Sequence, residues 1–518
     1  MKRNHRIAVV GAGVGGLAAA ARLQSQGYQV TVFEKNATPG GRCGRLSVPS
    51  PSGDGAFQFD IGPTILLMPE VLEETFASFG KKASDYLELI KCDPNYRVHY
   101  RDGSSIEFST DLVRMQAELE RVEPGAFTRY LHFLATGKNQ YDTSVRDFVG
   151  RNFDSVFEMF TPSNLKKVFE IKALKSMYAD VGRSFKDERL REALTFQTMY
   201  LGISPYEAPA VYELLPYTEL AIGIWFPKGG LYAVPKALER AGRELGVTYH
   251  YKKTVKEVIV TNGQAKGLQF ADGSRFDCDA VLLNADLPWA YKNLLKNTPA
   301  QLPKVESLKY TSSAYMMYLG MKRKVPGLQH HNVIFGNDYR GAFKSIFEDF
   351  KVPEDPAFYV NAPAHTDPSL APEGKDALYV LVPTPHKHPS LDWRVEGPKV
   401  RAKVFARLEE LGFGNLEQDV EVERTMTPDD WEGHFSLERG AAFGLSHNFM
   451  QVGPFRPANV DPNVNNLFFV GASTQPGTGV PMVMLSAKLV TERVNQWAEH
   501  AAPAATSTPA PVAEVKAA

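Results

Sequence analysis

Residues 7–10 (IAVV) form an unbroken apolar run between Arg6 and a cluster of glycines. That is the pattern of a short strand buried on both faces of a parallel sheet. An alanine-rich stretch then carries helical periodicity from about 16 to 26, Gly27 ends it, and 29–33 (QVTVF) reads as a second strand. Near the other end, 466–470 is another compact apolar strand closed by Gly471, and a helix is expected from about 482 to 497. Between these ends, 70–223 reads as mostly helical and rich in aromatics. A helix over 232–245 and strands over 247–251 and 255–261 follow. Asn262-Gly263 and Asp272-Gly273 mark hairpin turns, and 280–283 reads as a buried strand. Residues 291–459 alternate strands such as 312–321 (SSAYMMYLGM) with loops rich in Pro and His, and show no internal repeat.

The first strand, turn and helix carry Gly11, Gly13 and Gly16 as G-x-G-x-x-G, with Glu34 eighteen residues beyond Gly16 at the end of the second strand. This spacing gives a tight turn, close backbone approach to a pyrophosphate, and a carboxylate for ribose hydroxyls. The helix N-terminus would direct its free N–H groups at that pyrophosphate. The fingerprint serves NAD and FAD alike. Beyond Glu34 and Lys35 come Gly40, Gly41 and Arg42, then Asp60, Gly62 and Pro63; two glycines admit a ligand closely and a planar cation suits phosphate oxygens.

Those residues resemble the FAD-dependent amine oxidase and phytoene desaturase superfamily, in which a Gly-Gly-Arg segment lies along the dinucleotide. Residues 185–238, with Phe-x-Asp, Leu-Arg, Tyr-x-Gly-x-x-Pro, Ala-Pro and Trp-Phe-Pro-x-Gly-Gly in that order, resemble the bacterial and fungal phytoene desaturases more specifically. The resemblance extends with gaps from about 5 to 495. It implies an α/β chain with a Rossmann-like FAD-binding domain discontinuous over 1–75, 225–290 and 460–500. An α+β substrate domain is inserted over 76–224 and 291–459, with a helical membrane-facing region. Residues 501–518, rich in Ala, Pro and Thr, read as a disordered tail. The resemblance also implies that Val255 meets the adenine through its backbone. Gly471, Ala472, Gly477, Val480 and Met482 would close over the flavin, where a turn and a helix N-terminus favour negative charge on the ring. Many family members carry His at the position of Gln475; glutamine can hydrogen bond to the ring but does not titrate.

The implied reaction is FAD-dependent dehydrogenation of phytoene, or a related acyclic carotene, in successive steps toward lycopene, with a quinone or dioxygen as electron acceptor. A diapophytoene or 3,4-desaturase and a retinoid redox enzyme are near alternatives. An amine oxidase and a non-catalytic prenyl-binding flavoprotein are alternatives of other classes. Glu207, Glu213 and Glu219 fall in the family-specific block and are candidates for the base that accepts a proton.

Composition narrows the partners. With 518 residues, 43% hydrophobic and 23% charged, the chain suits a multidomain soluble protein, and 58 Lys plus Arg against 59 Asp plus Glu give no overall pull toward nucleic acid. Cys43, Cys92 and Cys278 are few and widely spaced, which suits a reducing, cytoplasmic setting rather than a disulfide framework. The N-terminus imitates a secretory signal, but its glycines fall where the nucleotide fold needs them. No metal site is expected: His330, His331, His386 and His388 lack carboxylate or cysteine partners at ligand spacing. Residues 156–178 place Leu165, Val168, Phe169, Ile171 and Leu174 among Lys166, Lys167, Lys172 and Lys175 at near-helical spacing. They read either as a basic amphipathic helix lying on a membrane surface or as a core helix with a lysine-rich face.

Overall fold

In the computed structural model, which describes residues 4–301 and 307–501, the apolar runs at both ends meet in one sheet. Its five strands, all parallel, run in the order Leu467–Phe469, Ala280–Leu283, β1 (Arg6–Val10), β2 (Gln29–Phe33), Thr248–His250. The chain therefore returns to this sheet three times. The helix α1 (Val14–Ser25) follows β1 directly, two residues earlier than its periodicity predicts, because Gly15 and Gly16 are already helical. Ala18 to Ala21 have no solvent exposure. Small residues there let α1 lie close against the sheet and against the helix Val480–His500. That last helix also begins early, with Pro481 in its first turn, where a missing N–H costs nothing.

A second sheet of seven strands has the order Val420–Met426, Ser313–Met321, Asp376–Thr384, Phe358–Asn361, His331–Ile334, Tyr96–His99, Ser105–Phe108. Its last two strands lie inside the stretch read as mostly helical; a turn at 100–104 makes them a hairpin. Alternation along Ser313–Met321 sends Tyr315, Met317 and Leu319 toward the helix Trp393–Glu410. Ala314, Met316 and Tyr318 go to the opposite face, which packs on Phe57, Phe59 and Trp431. A three-stranded antiparallel meander (Val255–Thr261, Gln264–Phe270, Arg275–Asp277) sits beside the parallel sheet, with the expected turn at Asn262 and Gly263, both at positive φ.

The helices Leu112–Val122, Ala126–Ser144, Pro162–Glu170, Met177–Ser184 and Glu188–Ala193 build the remaining wall. The expected continuous amphipathic helix over 156–178 is broken. A 3-10 turn covers Val156–Phe160, Thr161 caps the helix that Pro162 opens, and Lys172 turns left-handed at φ 56°. Among the described residues no helix is long and apolar enough to cross a membrane. The reading of 501–518 as a disordered tail falls, beyond Ala501, outside the described residues.

Candidate functional site

The glycine turn after β1 is closed by sterics. Gly11 has φ 99°, and a Cβ on it would stand 2.5 Å from the Asn284 carbonyl oxygen. A Cβ on Gly16 would stand 2.4 Å from the carbonyl of Gly11, so only hydrogen fits where helix meets strand. Glu34, 6% exposed, holds the turn from β2: its carboxylate accepts the N–H groups of Ala12 and Asn36, both at 2.8 Å. Gly40, at φ 110°, donates to the Ala12 carbonyl at 2.8 Å and brings the Gly41-Arg42 segment alongside.

A cavity of about 680 Å³ runs from this turn into the protein. Gly11, Gly13, Glu34, Lys35, Gly41, Arg42, Gly62, Pro63 and Val255 line it at one end, and Gly471, Ala472, Gly477, Val480 and Met482 line it beyond. Gly16 does not; it serves the packing of α1. Two helix N-termini without side-chain caps, those of α1 and of Val480–His500, open into the same space. Their free N–H groups present positive ends to whatever lies between them.

Asp286, which no sequence motif singles out, also lines the cavity. It accepts from Ser473 Oγ at 2.5 Å and from the Glu438 N–H at 3.1 Å, and burial raises its carboxyl above the usual range. Arg42 donates to the Ala442 carbonyl at 2.8 Å.

Gln475 does not reach the cavity. Its amide donates to the carbonyls of Gly453 (3.2 Å) and Arg456 (3.3 Å), so this side chain faces the backbone behind the cavity. His447 lines the cavity instead. It donates from Nδ1 to the Leu201 carbonyl at 3.1 Å and accepts the Thr478 N–H at Nε2, also 3.1 Å. Burial, with Arg456 nearby, holds its pKa well below 6.5, so the ring is neutral. Arg456, 2% exposed, ties the same region together through the carbonyls of Leu445, Ser446, Gln451, Ala472 and Thr474. Neither residue has a motif; only folding brings 447 and 456 to the turn after Gly471.

None of the three candidate bases lines the cavity. Glu207 is exposed at the surface. Glu213 is buried behind the wall, with Lys172 Nζ at 3.5 Å, and burial pushes its pKa to about 8. Glu219 accepts from Gln197 at 3.0 Å; burial puts its pKa at about 7.

Away from the glycines the lining is apolar and aromatic, with Phe196, Phe335, Phe343 and Ile346 on one side and Phe148, Val168, Ile171 and Phe455 on another. The Phe455 ring lies tilted against Phe449 (ring centroids 6.0 Å) and edge-on to Phe160 (6.5 Å), which are 36% and 55% exposed. Phe157, Phe169, Leu174 and Met450, each more than 60% exposed, belong to the same segments.

The donor set fits a flavin dinucleotide. A buried carboxylate with spare lone pairs suits ribose, backbone N–H groups at a glycine turn suit a pyrophosphate, and a glycine-lined slot at a second helix end suits a flat ring.

Comparisons with known proteins agree. The flavin-containing amine oxidoreductase model matches residues 14–495. A "zeta-carotene-forming phytoene desaturase" of Myxococcus xanthus is 62% identical over 497 residues, covering 96% of this chain and 95% of that one. A "Phytoene desaturase" of Phycomyces blakesleeanus is 39% identical, covering 94% and 85%. Among solved structures, an oxidoreductase from Methanosarcina mazei matches with a TM-score of 0.63 at 19% identity over 94% of this chain and 100% of that one, a likeness of fold.

Proposed function

Because the chain belongs to the flavin-containing amine oxidoreductase family and, within it, to the carotenoid desaturases, we propose that it dehydrogenates phytoene in successive steps on the route toward lycopene. It is an FAD-dependent oxidoreductase acting on carbon–carbon single bonds. The observation that carries the proposal is the junction of two chemically different halves of one cavity: a polar dinucleotide cradle between two helix N-termini, opening into an apolar, aromatic-walled space. An acyclic carotene offers no polar handle, and the wall beyond the cradle is mainly apolar and aromatic.

Bound in the cradle, FAD supplies a two-electron acceptor for hydride. The chain's own tasks are then positional. Glu34 and the turn from Gly11 to Gly13 hold the ribose and pyrophosphate. His447 fixes the Thr478 backbone beside the ring slot. Phe196, Phe335 and Phe343 exclude water and align the substrate, replacing a search in solution by a fixed approach. With Glu213 and Glu219 behind the wall, the cavity-lining carboxylates among the described residues are Glu34, Asp286 and Asp338. Asp338 accepts the Gly341 N–H as the cap of the helix Tyr339–Phe347, while burial raises Asp286, beside Ser473, above the ordinary carboxyl range, the direction that suits a proton acceptor. Electrons leave to a quinone or dioxygen.

The substrate enters from lipid. Support comes from the exposed apolar rim of Phe157, Phe169, Leu174 and Met450, flanked by Lys166, whose side chain is 79% exposed. Such a rim seats in the interface of a bilayer without crossing it.

A second reading, release at ζ-carotene, rests on the activity named for the 62% identical relative. Incubation of the FAD-loaded protein with phytoene in liposomes, followed by chromatography of the polyenes, separates the two. Lycopene supports the longer course and accumulating ζ-carotene the shorter; unchanged phytoene under both acceptors contradicts both.

A further inference from the structure

Three side chains from two distant stretches of the chain converge behind the cavity wall. Cys92 follows the short strand Leu89–Lys91, and His330 and His331 enter the seven-stranded sheet. One ligand atom from each lies within 4.8 Å of the other two, and the residues are 4%, 6% and 0% exposed. Cys92 Sγ stands 3.7 Å from His331 Nε2. The cysteine partner that spacing alone does not supply to these histidines comes from 239 residues away.

The imidazoles are held as metal-ligating histidines are held. His330 Nδ1 meets Thr366 Oγ1 at 2.6 Å and His331 Nδ1 meets the Tyr359 hydroxyl at 2.5 Å, fixing both rings from behind. His330 Nε2 is buried and has no hydrogen-bond partner. Such an atom in a closed interior lacks the compensation buried polar groups find. Phe226 meets the His330 ring edge-on, with ring centroids 4.7 Å apart.

We propose that Cys92, His330 and His331 bind one thiophilic cation, Cu⁺ or Zn²⁺, through one thiolate and two imidazole nitrogens. Zn–N bonds of about 2.1 Å and Zn–S bonds of about 2.3 Å hold neighbouring ligand atoms roughly 3.5 Å apart. The Cys92–His331 pair already stands near that spacing. A hard cation is disfavoured because no carboxylate among the described residues joins the group. Cu⁺ with one thiolate forms a neutral centre, whereas Zn²⁺ leaves a net positive charge in a dry interior, so charge balance favours Cu⁺. On binding, the thiol proton of Cys92 passes to solvent and His331 turns its N–H toward the Tyr359 hydroxyl, which donates onward to Thr64, 2.9 Å away. Thr64 and Tyr359 line the cavity. The cation would therefore staple the segment at Cys92 to the sheet directly behind the substrate wall.

The test uses the full-length, FAD-loaded protein, stripped with a chelator and titrated with Zn²⁺ alone, with Cu⁺ alone under anaerobic reducing conditions, and with Co²⁺ as an optical probe. Expected are uptake of one equivalent per chain, tighter for Cu⁺, a rise of several degrees in melting temperature, and a thiolate-to-cobalt charge-transfer band. Cys92→Ser should remove that band, and His330→Gln should weaken uptake at least tenfold. Failure of the wild-type protein to take up either cation stoichiometrically, or uptake with no thiolate band, would overturn the proposal whether or not the variants fold.

Discussion

The Nε2 of His447 accepts the backbone N–H of Thr478 at 3.1 Å, so a buried, neutral imidazole from a distant loop fixes the turn that leads into the last helix. A Cβ on the adjacent Gly477 would stand 2.5 Å from that same nitrogen. The two residues are thus matched: a ring on one side and a hydrogen on the other. Replacing His447 by Ala leaves a part-buried N–H without its partner, at a cost of about 1 kcal/mol. The expected outcome is FAD affinity about tenfold weaker and a lower desaturation rate, read by flavin fluorescence titration and by product formation. Unchanged affinity would show that the turn holds itself.

At the other end of the cavity, Gly16→Val places a methyl-bearing carbon against the Gly11 carbonyl, where 2.4 Å is available. The turn has to open. Purified variant protein should retain less than about a tenth of the wild-type flavin, measured by absorbance after desalting.

Glu219 gives the protein a pH-dependent stability of unusual direction. Burial holds its folded-state pKa at about 7 against 4.5 for an ordinary glutamate. Between those values the unfolded chain releases a proton that the folded chain keeps, so stability falls as pH rises from about 4.5 to about 7 and then levels. The contribution is roughly 3 kcal/mol. Glu219→Gln should remove it, and the gain over wild type in denaturant unfolding should grow across that window and stay constant above it. A gap independent of pH would mean that the carboxyl titrates as it does in water.

The exposed rim predicts a separable membrane function. Phe157→Ser, Phe169→Ser and Leu174→Ser together remove side chains each worth about 1.5–3 kcal/mol when buried in an apolar phase. Flotation with anionic vesicles should fall at least tenfold while flavin content stays at the wild-type level. Full flotation by the triple variant would place the lipid contact elsewhere.

How much of the fold and site is legible in the sequence follows from what local pattern encodes. Apolar runs and glycines at 7–34 and 466–482 specify strands and turns by short-range sterics, and those elements sit where the pattern puts them, helix starts shifted by about two residues. Tyr96–His99 and Ser105–Phe108 form a local hairpin, but the place of that hairpin in the seven-stranded sheet is set by His331–Ile334, more than two hundred residues on, which no local pattern records. Asp286, His447 and Arg456 likewise acquire their roles through contacts that no spacing records. The break at Pro162 is readable, since Thr-Pro is a helix start, but lysine periodicity across it suggests one continuous helix. The three glutamates stand out by their place in a family-specific block, and a residue's type and neighbourhood in sequence do not tell which side of a wall it faces.

Anaerobic mixing of the FAD-loaded protein with phytoene in liposomes, followed from the near ultraviolet through the visible, tests the redox step itself. The visible flavin band should bleach in step with a rise in near-ultraviolet absorption at longer wavelength than that of phytoene, in a single turnover and without added acceptor. An oxidised flavin that phytoene leaves untouched, but that a small amine bleaches, would contradict phytoene desaturation.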